Sequence, residues 1–208
     1  MLYKFVYHVF APLMVMPFLK LFNRFHATGF DQMPTQGAAV VVANHISMWD
    51  PVIMFCLIRR RAYFMGKKEI FDVPILGPIL RRLYVFPVKR DTVDRAALRK
   101  AAQVLEEGDI LVIYPEGHRS KTSDMLPFKE GAALFAHRAG VPVVPVFFEN
   151  TPMIFPRSIG QKVRVACGSP LDLTAFYEKK ADSALLKEMS DAFRKSIERL
   201  REAATSEK

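Results

Sequence analysis

Apolar positions along the chain change rhythm repeatedly between short continuous runs and helical spacing. The run 38–43 (Ala-Ala-Val-Val-Val-Ala) has no polar residue and reads as a buried strand. Asp50 and Pro51 then look like an N-cap followed by proline at the first helical position, predicting a helix to about residue 58. Residues 62–65 predict a short strand. Residues 70–83, apolar but broken by Pro74, Gly77 and Pro78, predict a loop with a short helix, and 84–88 a further strand. Ala97, Ala101, Val104 and Leu105 lie at helical spacing within 94–107, which ends at Gly108. Strands at 110–114, 143–148 and 163–167 and a helix at 131–139 complete the alternation. Leu186, Met189, Phe193, Ile197 and Leu200 place one apolar stripe on a C-terminal amphipathic helix. Alternating strands and helices are the signature of an α/β domain.

The first 27 residues break this pattern. Residues 5–19 are almost wholly apolar, His8 apart, and are interrupted by Pro12 and Pro17. The run is shorter than the ~20 residues a spanning helix needs. Its lack of a polar face favours a kinked helical segment at a membrane interface, with Lys20 and Arg24 at the headgroups, over a helix packed on the domain's own core. The expected organisation is a membrane-associated segment, 1–27, and one α/β domain, 28–208.

Composition excludes disorder and disulfide scaffolds: half of the 208 residues are hydrophobic, a quarter are charged, and there are only two cysteines. Cys56 and Cys167 read as free thiols of a reducing compartment, and the five histidines show no zinc spacing. The net charge of +9 is local. Residues 1–30 hold three cations and no acid, and 59–100 hold twelve cations against four acids, whereas cations and acids balance beyond residue 100. An anionic partner is therefore expected near 59–100. Aromatics interleave with the cations there (Tyr63, Phe64, Phe71, Tyr84, Phe86), but most fall on strand or core positions. A nucleic-acid stacking platform would need them exposed.

The strand at 38–43 runs into Asn44-His45-Ile46-Ser47-Met48-Trp49-Asp50. The turn can fold Asp50 back onto one ring nitrogen of His45, fixing the tautomer and leaving the other nitrogen as a general base. On its own the pair reads more readily as a helix cap beside a turn histidine than as a catalytic pair. Arg90 follows one strand, Glu116, Gly117 and Arg119 surround a turn after the next, and Lys67 follows the strand at 62–65. Guanidinium forks and a lysine charge suit phosphate oxygens.

In order and spacing these segments resemble the glycerolipid acyltransferase family. Asn44, His45 and Asp50 match its N-H-x-x-x-x-D block, Lys67 to Ile70 its Lys-x-Glu-Leu segment, and Phe86 to Arg90 its Phe-Pro-Val-x-Arg block. Tyr114 to Ser120 match Phe-Pro-Glu-Gly-Thr-Arg-Ser, with Tyr114 for Phe and His118 for Thr, and a Val-Pro-Val-Val-Pro-Val block lies at 141–146. The resemblance covers about residues 28–170. It implies an α/β fold with a single mixed, largely parallel sheet flanked by helices and an N-terminal membrane-associated segment. It further implies acyl transfer from acyl-CoA or acyl-acyl carrier protein to the sn-2 hydroxyl of a lysophosphatidic acid, without metal or redox cofactor. Glycerol-3-phosphate or another lysophospholipid is the alternative acceptor. His45 would be the base and Asp50 its partner; Lys67, Arg90 and Arg119 would hold the acceptor phosphate; Glu116 and Gly117 would shape that site. The expected setting is the cytoplasmic face of the cell membrane, on an anionic lipid surface, with no nucleic acid.

Overall fold

A computed structural model describes residues 13–89, 94–122 and 124–206. Seven strands form one sheet: β1 (His26–Thr28), β2 (Ala39–Ala43), β3 (Ala62–Lys67), β4 (Val85–Val88), β5 (Ile110–Ile113), β6 (Val143–Glu149) and β7 (Arg164–Cys167), in the order β1-β7-β6-β2-β5-β3-β4. All neighbouring pairs are parallel except β6 with β7, which makes the sheet mixed and mostly parallel. Every residue of β2 is buried, because helices cover both faces of a central parallel strand.

Alternation along β2 sorts its side chains into two cores. Val40 and Val42 face α4 (Arg95–Glu106), α5 (Gly131–Ala139) and α7 (Ser183–Ser206). Val41 and Ala43 face α1 (Met16–Asn23) and α2 (Trp49–Leu57). The stripe foreseen on the last helix buries Met189, Phe193 and Ile197 completely, each contributing about 1.5–3 kcal/mol of apolar burial. Asp94 caps α4 by accepting from the Ala96 and Ala97 amides. Two short helices, α3 (Leu76–Arg82) and α6 (Thr174–Tyr177), complete the set. The three-residue β1 and α6 carry too little periodicity to be read from sequence.

One expectation changes. Asp50 is not the N-cap of α2: the helix begins at Trp49 after Met48, and the Asp50 carboxylate turns back to accept from the Ile46 and Ser47 amides. The aspartate therefore organises the turn before the helix. The aromatics within 59–100 sit where packing was expected to put them, since Tyr63, Phe64, Phe71 and Phe86 are all buried.

Residues 1–12 lie outside the described part of the chain. From Val15 on, the N-terminal segment is seated on the domain. Leu19 is fully buried, and the Asn23 amide bonds the carbonyls of Met153 and Ser158 and the amide of Phe155. Its other side leaves Leu13, Met14 and Leu21 exposed. Among the described residues no helix is long and apolar enough to cross a membrane.

Candidate active site

The site forms where β2 and β5 end, because parallel neighbours bring their C-terminal ends to one edge. Asn44 closes β2 by bonding both ways with Phe148 at the end of β6: its amide nitrogen donates to the Phe148 carbonyl (3.0 Å), and its oxygen accepts from the Phe148 amide (2.7 Å). His45 comes next and is fastened at three points. Its backbone amide donates to Glu116 Oε1 (2.8 Å), its carbonyl accepts from the Ser120 amide (2.8 Å), and its Nδ1 meets Asp50 Oδ2 at 2.9 Å. Nε2 has no partner among the described residues. The His45 side chain is only 11% exposed, so a proton acceptor is held still and largely out of water.

Asp50 is fully buried, and its oxygens are covered. Oδ2 takes His45 Nδ1 and the Ile46 and Ser47 amides; Oδ1 takes the hydroxyl of Thr151. A buried carboxylate is tolerable only when so satisfied. Thr151 lies in the 3-10 turn Thr151–Met153 that follows β6, and its carbonyl accepts from the Ser47 hydroxyl (3.2 Å). Ser47 Oγ also accepts from the Trp49 amide, so this serine braces the turn and is not poised as a nucleophile. The thiols are equally unsuited: burial pushes both Cys56 and Cys167 up to about 12.

Tyr114 stacks on the His45 ring with centroids 4.3 Å apart. Burial, with the Asp50 carboxylate nearby, holds its phenol well above the usual range, and its buried hydroxyl has no partner among the described residues. Glu116 is also buried. Its carboxylate accepts from the His45 and Leu126 amides, and burial raises its pKa against the pull of those two donors. Glu116 thus joins the glycine turn to the histidine turn. Gly117 has φ of +74°, so the turn needs glycine for its conformation, and its Cα lies against the Lys129 side chain.

The remaining predicted cations are peripheral. Lys67 ends β3, about half exposed, with Nζ 3.4 Å from Glu69. Arg119 is exposed in the turn after β5 and forms no ion pair among the described residues. Arg90 lies outside the described residues. Three residues at the site escaped the sequence reading. Tyr114 enters the sequence reading as a strand residue standing for the family's Phe, with no role at the histidine; Lys129 is brought against Gly117 by the Lys129 amide bonding the Pro115 carbonyl, and Thr151 lies about a hundred residues from the aspartate it serves. No pattern in the chain links such positions. No group of three or more His, Cys, Asp or Glu among the described residues is placed to hold a metal ion.

A mostly parallel α/β sheet that ends in an Asp-held histidine, with a glycine turn and cations at its rim, carries the groups that acid–base group transfer needs. The chain belongs to the Acyltransferase family, whose model matches residues 24–149. It is 26% identical to the 1-acyl-sn-glycerol-3-phosphate acyltransferase of Bacillus subtilis, an alignment covering 88% of this chain and 87% of that one. It is 31% identical to the chloroplastic 1-acyl-sn-glycerol-3-phosphate acyltransferase BAT2 of Brassica napus over 74% of this chain, and spans only 44% of that longer protein. The crystal structure of the 1-acyl-sn-glycerophosphate (LPA) acyltransferase PlsC from Thermotoga maritima superposes with a TM-score of 0.74 at 25% identity, covering 96% of this chain and 81% of that one.

Proposed function

We propose that this protein moves a fatty acyl group from a thioester, acyl-CoA or acyl-acyl carrier protein, to the sn-2 hydroxyl of 1-acyl-sn-glycerol-3-phosphate, giving phosphatidic acid. The observation that carries the reading is the His45–Asp50 pair, with one ring nitrogen engaged at 2.9 Å and the other unpartnered among the described residues. Nε2 takes the proton of the acceptor hydroxyl as its oxygen attacks the thioester carbonyl. Asp50 stabilises the imidazolium. The tetrahedral intermediate collapses with loss of the C–S bond, and the imidazolium returns the proton to the departing thiolate. Transfer is direct, because Ser47 is committed to the Thr151 carbonyl. The stacked Tyr114 ring presents a π face to the cation that forms on His45.

Arg119, Lys67 and Arg90 hold the acceptor phosphate, with Gly117 and Glu116 shaping the turn beside it. A phosphate monoester, with its higher charge, suits such a cluster better than a diester. No resident cofactor is required by this chemistry. The apolar N-terminal segment holds the enzyme on the cytoplasmic face of the cell membrane, where an anionic lipid surface supplies the acceptor. The test is thiol release from acyl-CoA and acyl-acyl carrier protein with lysophosphatidic acid, glycerol-3-phosphate and a larger-headgroup lysophospholipid, in detergent or lipid. Phosphatidic acid should form and His45→Ala should abolish it; near-normal turnover by folded His45→Ala would remove the base assignment.

A further inference from the structure

The large apolar side chains exposed among the described residues are not scattered. They fall in four segments, 13–21, 48–52, 73–79 and 153–159, and none lies on α4, α5 or α7. Three of the segments follow the C-terminal ends of β2, β3 and β6. The fourth, carrying α1, packs against two of them through Phe18, whose ring lies 6.5 Å from Trp49 and 6.0 Å from Phe155. The apolar surface therefore shares an edge with His45. Single exposed apolar residues need no explanation, but a patch confined to one edge marks an interaction surface.

Segment 73–79 is the most sharply built of the four. Ile75 has φ of +69° and ψ of −47°, and the Leu76 amide donates to the Pro74 carbonyl at 2.8 Å, forming a γ-turn. That conformation is strained for a β-branched residue. Folding gains nothing visible in return, since Ile75 is 77% exposed. The strain is held by what lies behind. The Gly77 amide bonds the Val73 carbonyl, and a Cβ on Gly77 would sit 2.2 Å from the Phe71 carbonyl oxygen. Phe71 is buried, with the Arg81 guanidinium 5.2 Å over its ring. The tip is thus pressed onto a rigid base and points an isoleucine into solvent. Exposed Lys68, Arg81 and Arg82 flank the segment along the chain, against Asp72 and a Glu69 that lies 3.4 Å from Lys67. An apolar tip on a segment flanked by cations matches the hydrocarbon edge and headgroups of an anionic bilayer.

We propose that residues 73–79 form a lipid-inserting wedge, separate from the N-terminal segment, that seats the catalytic edge on the membrane. The inference rests on the reading of the acceptor as a membrane lipid. With two contacts, the N-terminal segment and the wedge, the bilayer sets the orientation of the edge as well as its distance, as one anchor alone does not.

The test uses the full chain carrying Ile75→Cys, labelled with an environment-sensitive dye. Cys167 is buried and Cys56 only partly so, and the labelled chain therefore also carries Cys56→Ala, leaving position 75 as the thiol that takes the dye. Vesicles of phosphatidylcholine with phosphatidylglycerol should blue-shift the dye, and lipids brominated in their acyl chains should quench it. In parallel, Ile75→Asn, which suits a positive φ, should melt no lower than the wild type. It should bind those vesicles roughly tenfold more weakly. Its turnover of a short-chain soluble acceptor should be unchanged. A dye that stays in water on vesicles that capture the protein overturns the wedge and leaves the acyltransferase reading intact. A blue shift that grows with protein concentration in the absence of lipid assigns the patch to a second copy of the chain and also overturns the wedge. Loss of all turnover by the wild type, with vesicle insertion intact, would instead defeat the proposed reaction.

Discussion

Replacing Thr151 by valine keeps the volume of a side chain that is completely buried and removes one hydrogen-bond donor. That donor alone covers Asp50 Oδ1, while the other three donors reach Oδ2. The Ser47 hydroxyl bond to the Thr151 carbonyl survives, because it uses the backbone. The loss is therefore confined to one oxygen of a charged, fully buried carboxylate. A hydrogen bond to a charged group is worth about 1.5–3 kcal/mol, and leaving the acceptor unsatisfied pushes toward the upper end. For a chain of this size, 2–3 kcal/mol corresponds to roughly 4–12 °C in Tm. Catalysis should suffer as well. Asp50, no longer held from the β6 side, positions His45 less rigidly, and kcat should fall about tenfold. Thr151→Ser restores the hydroxyl and should restore both Tm and kcat. The assays are calorimetric melting and thioester consumption. A Thr151→Val protein with unchanged Tm and kcat would falsify the idea that this threonine positions the pair.

Two further predictions follow from the same geometry. Arg119→Ala should raise the KM for the phosphorylated acceptor by roughly ten- to a hundredfold, the worth of a charge-assisted bond, without changing the KM for the thioester. Equal effects on both substrates would take Arg119 out of the phosphate site. Glu116 has its pKa raised by burial, so its contribution to stability is fully present below its ordinary pKa of 4.5 and is lost as pH rises through the folded value. Wild-type Tm relative to Glu116→Gln should accordingly increase from neutral to mildly acidic buffer, and a constant difference would show that burial does not raise the pKa of this carboxyl.

Much of the fold was legible because its signals are local. The run 38–43 could only be a strand buried on both faces, and the stripe from Leu186 to Leu200 could only be one face of a helix. Gly108 and Gly140, both with positive φ, end α4 and α5 where the sequence placed those stops. Asp50 shows where local reading stops. Asp-Pro at a helix start resembles a cap, yet the carboxylate finds four donors, one of them on a residue beyond β6. The helix therefore starts two residues earlier, at Trp49 instead of Pro51, and the aspartate serves the histidine turn. Glu116 repeats the point: a charge beside a glycine turn looks ligand-facing, whereas the His45 and Leu126 amides occupy it.

What the sequence determined by itself is the alternation of elements, the location of the charge and the candidacy of His45 and Asp50, since each depends on neighbours a few residues apart. What only the tertiary structure decided is the strand order, the antiparallel turn of β7, the Thr151 bond that completes the pair, the Tyr114 face on the imidazole, and the exposure of Ile75 on a rigid base. These are contacts between residues far apart in the chain. They exist because a parallel sheet gathers the C-terminal ends of distant strands at one edge, where no local period records which side chains will meet.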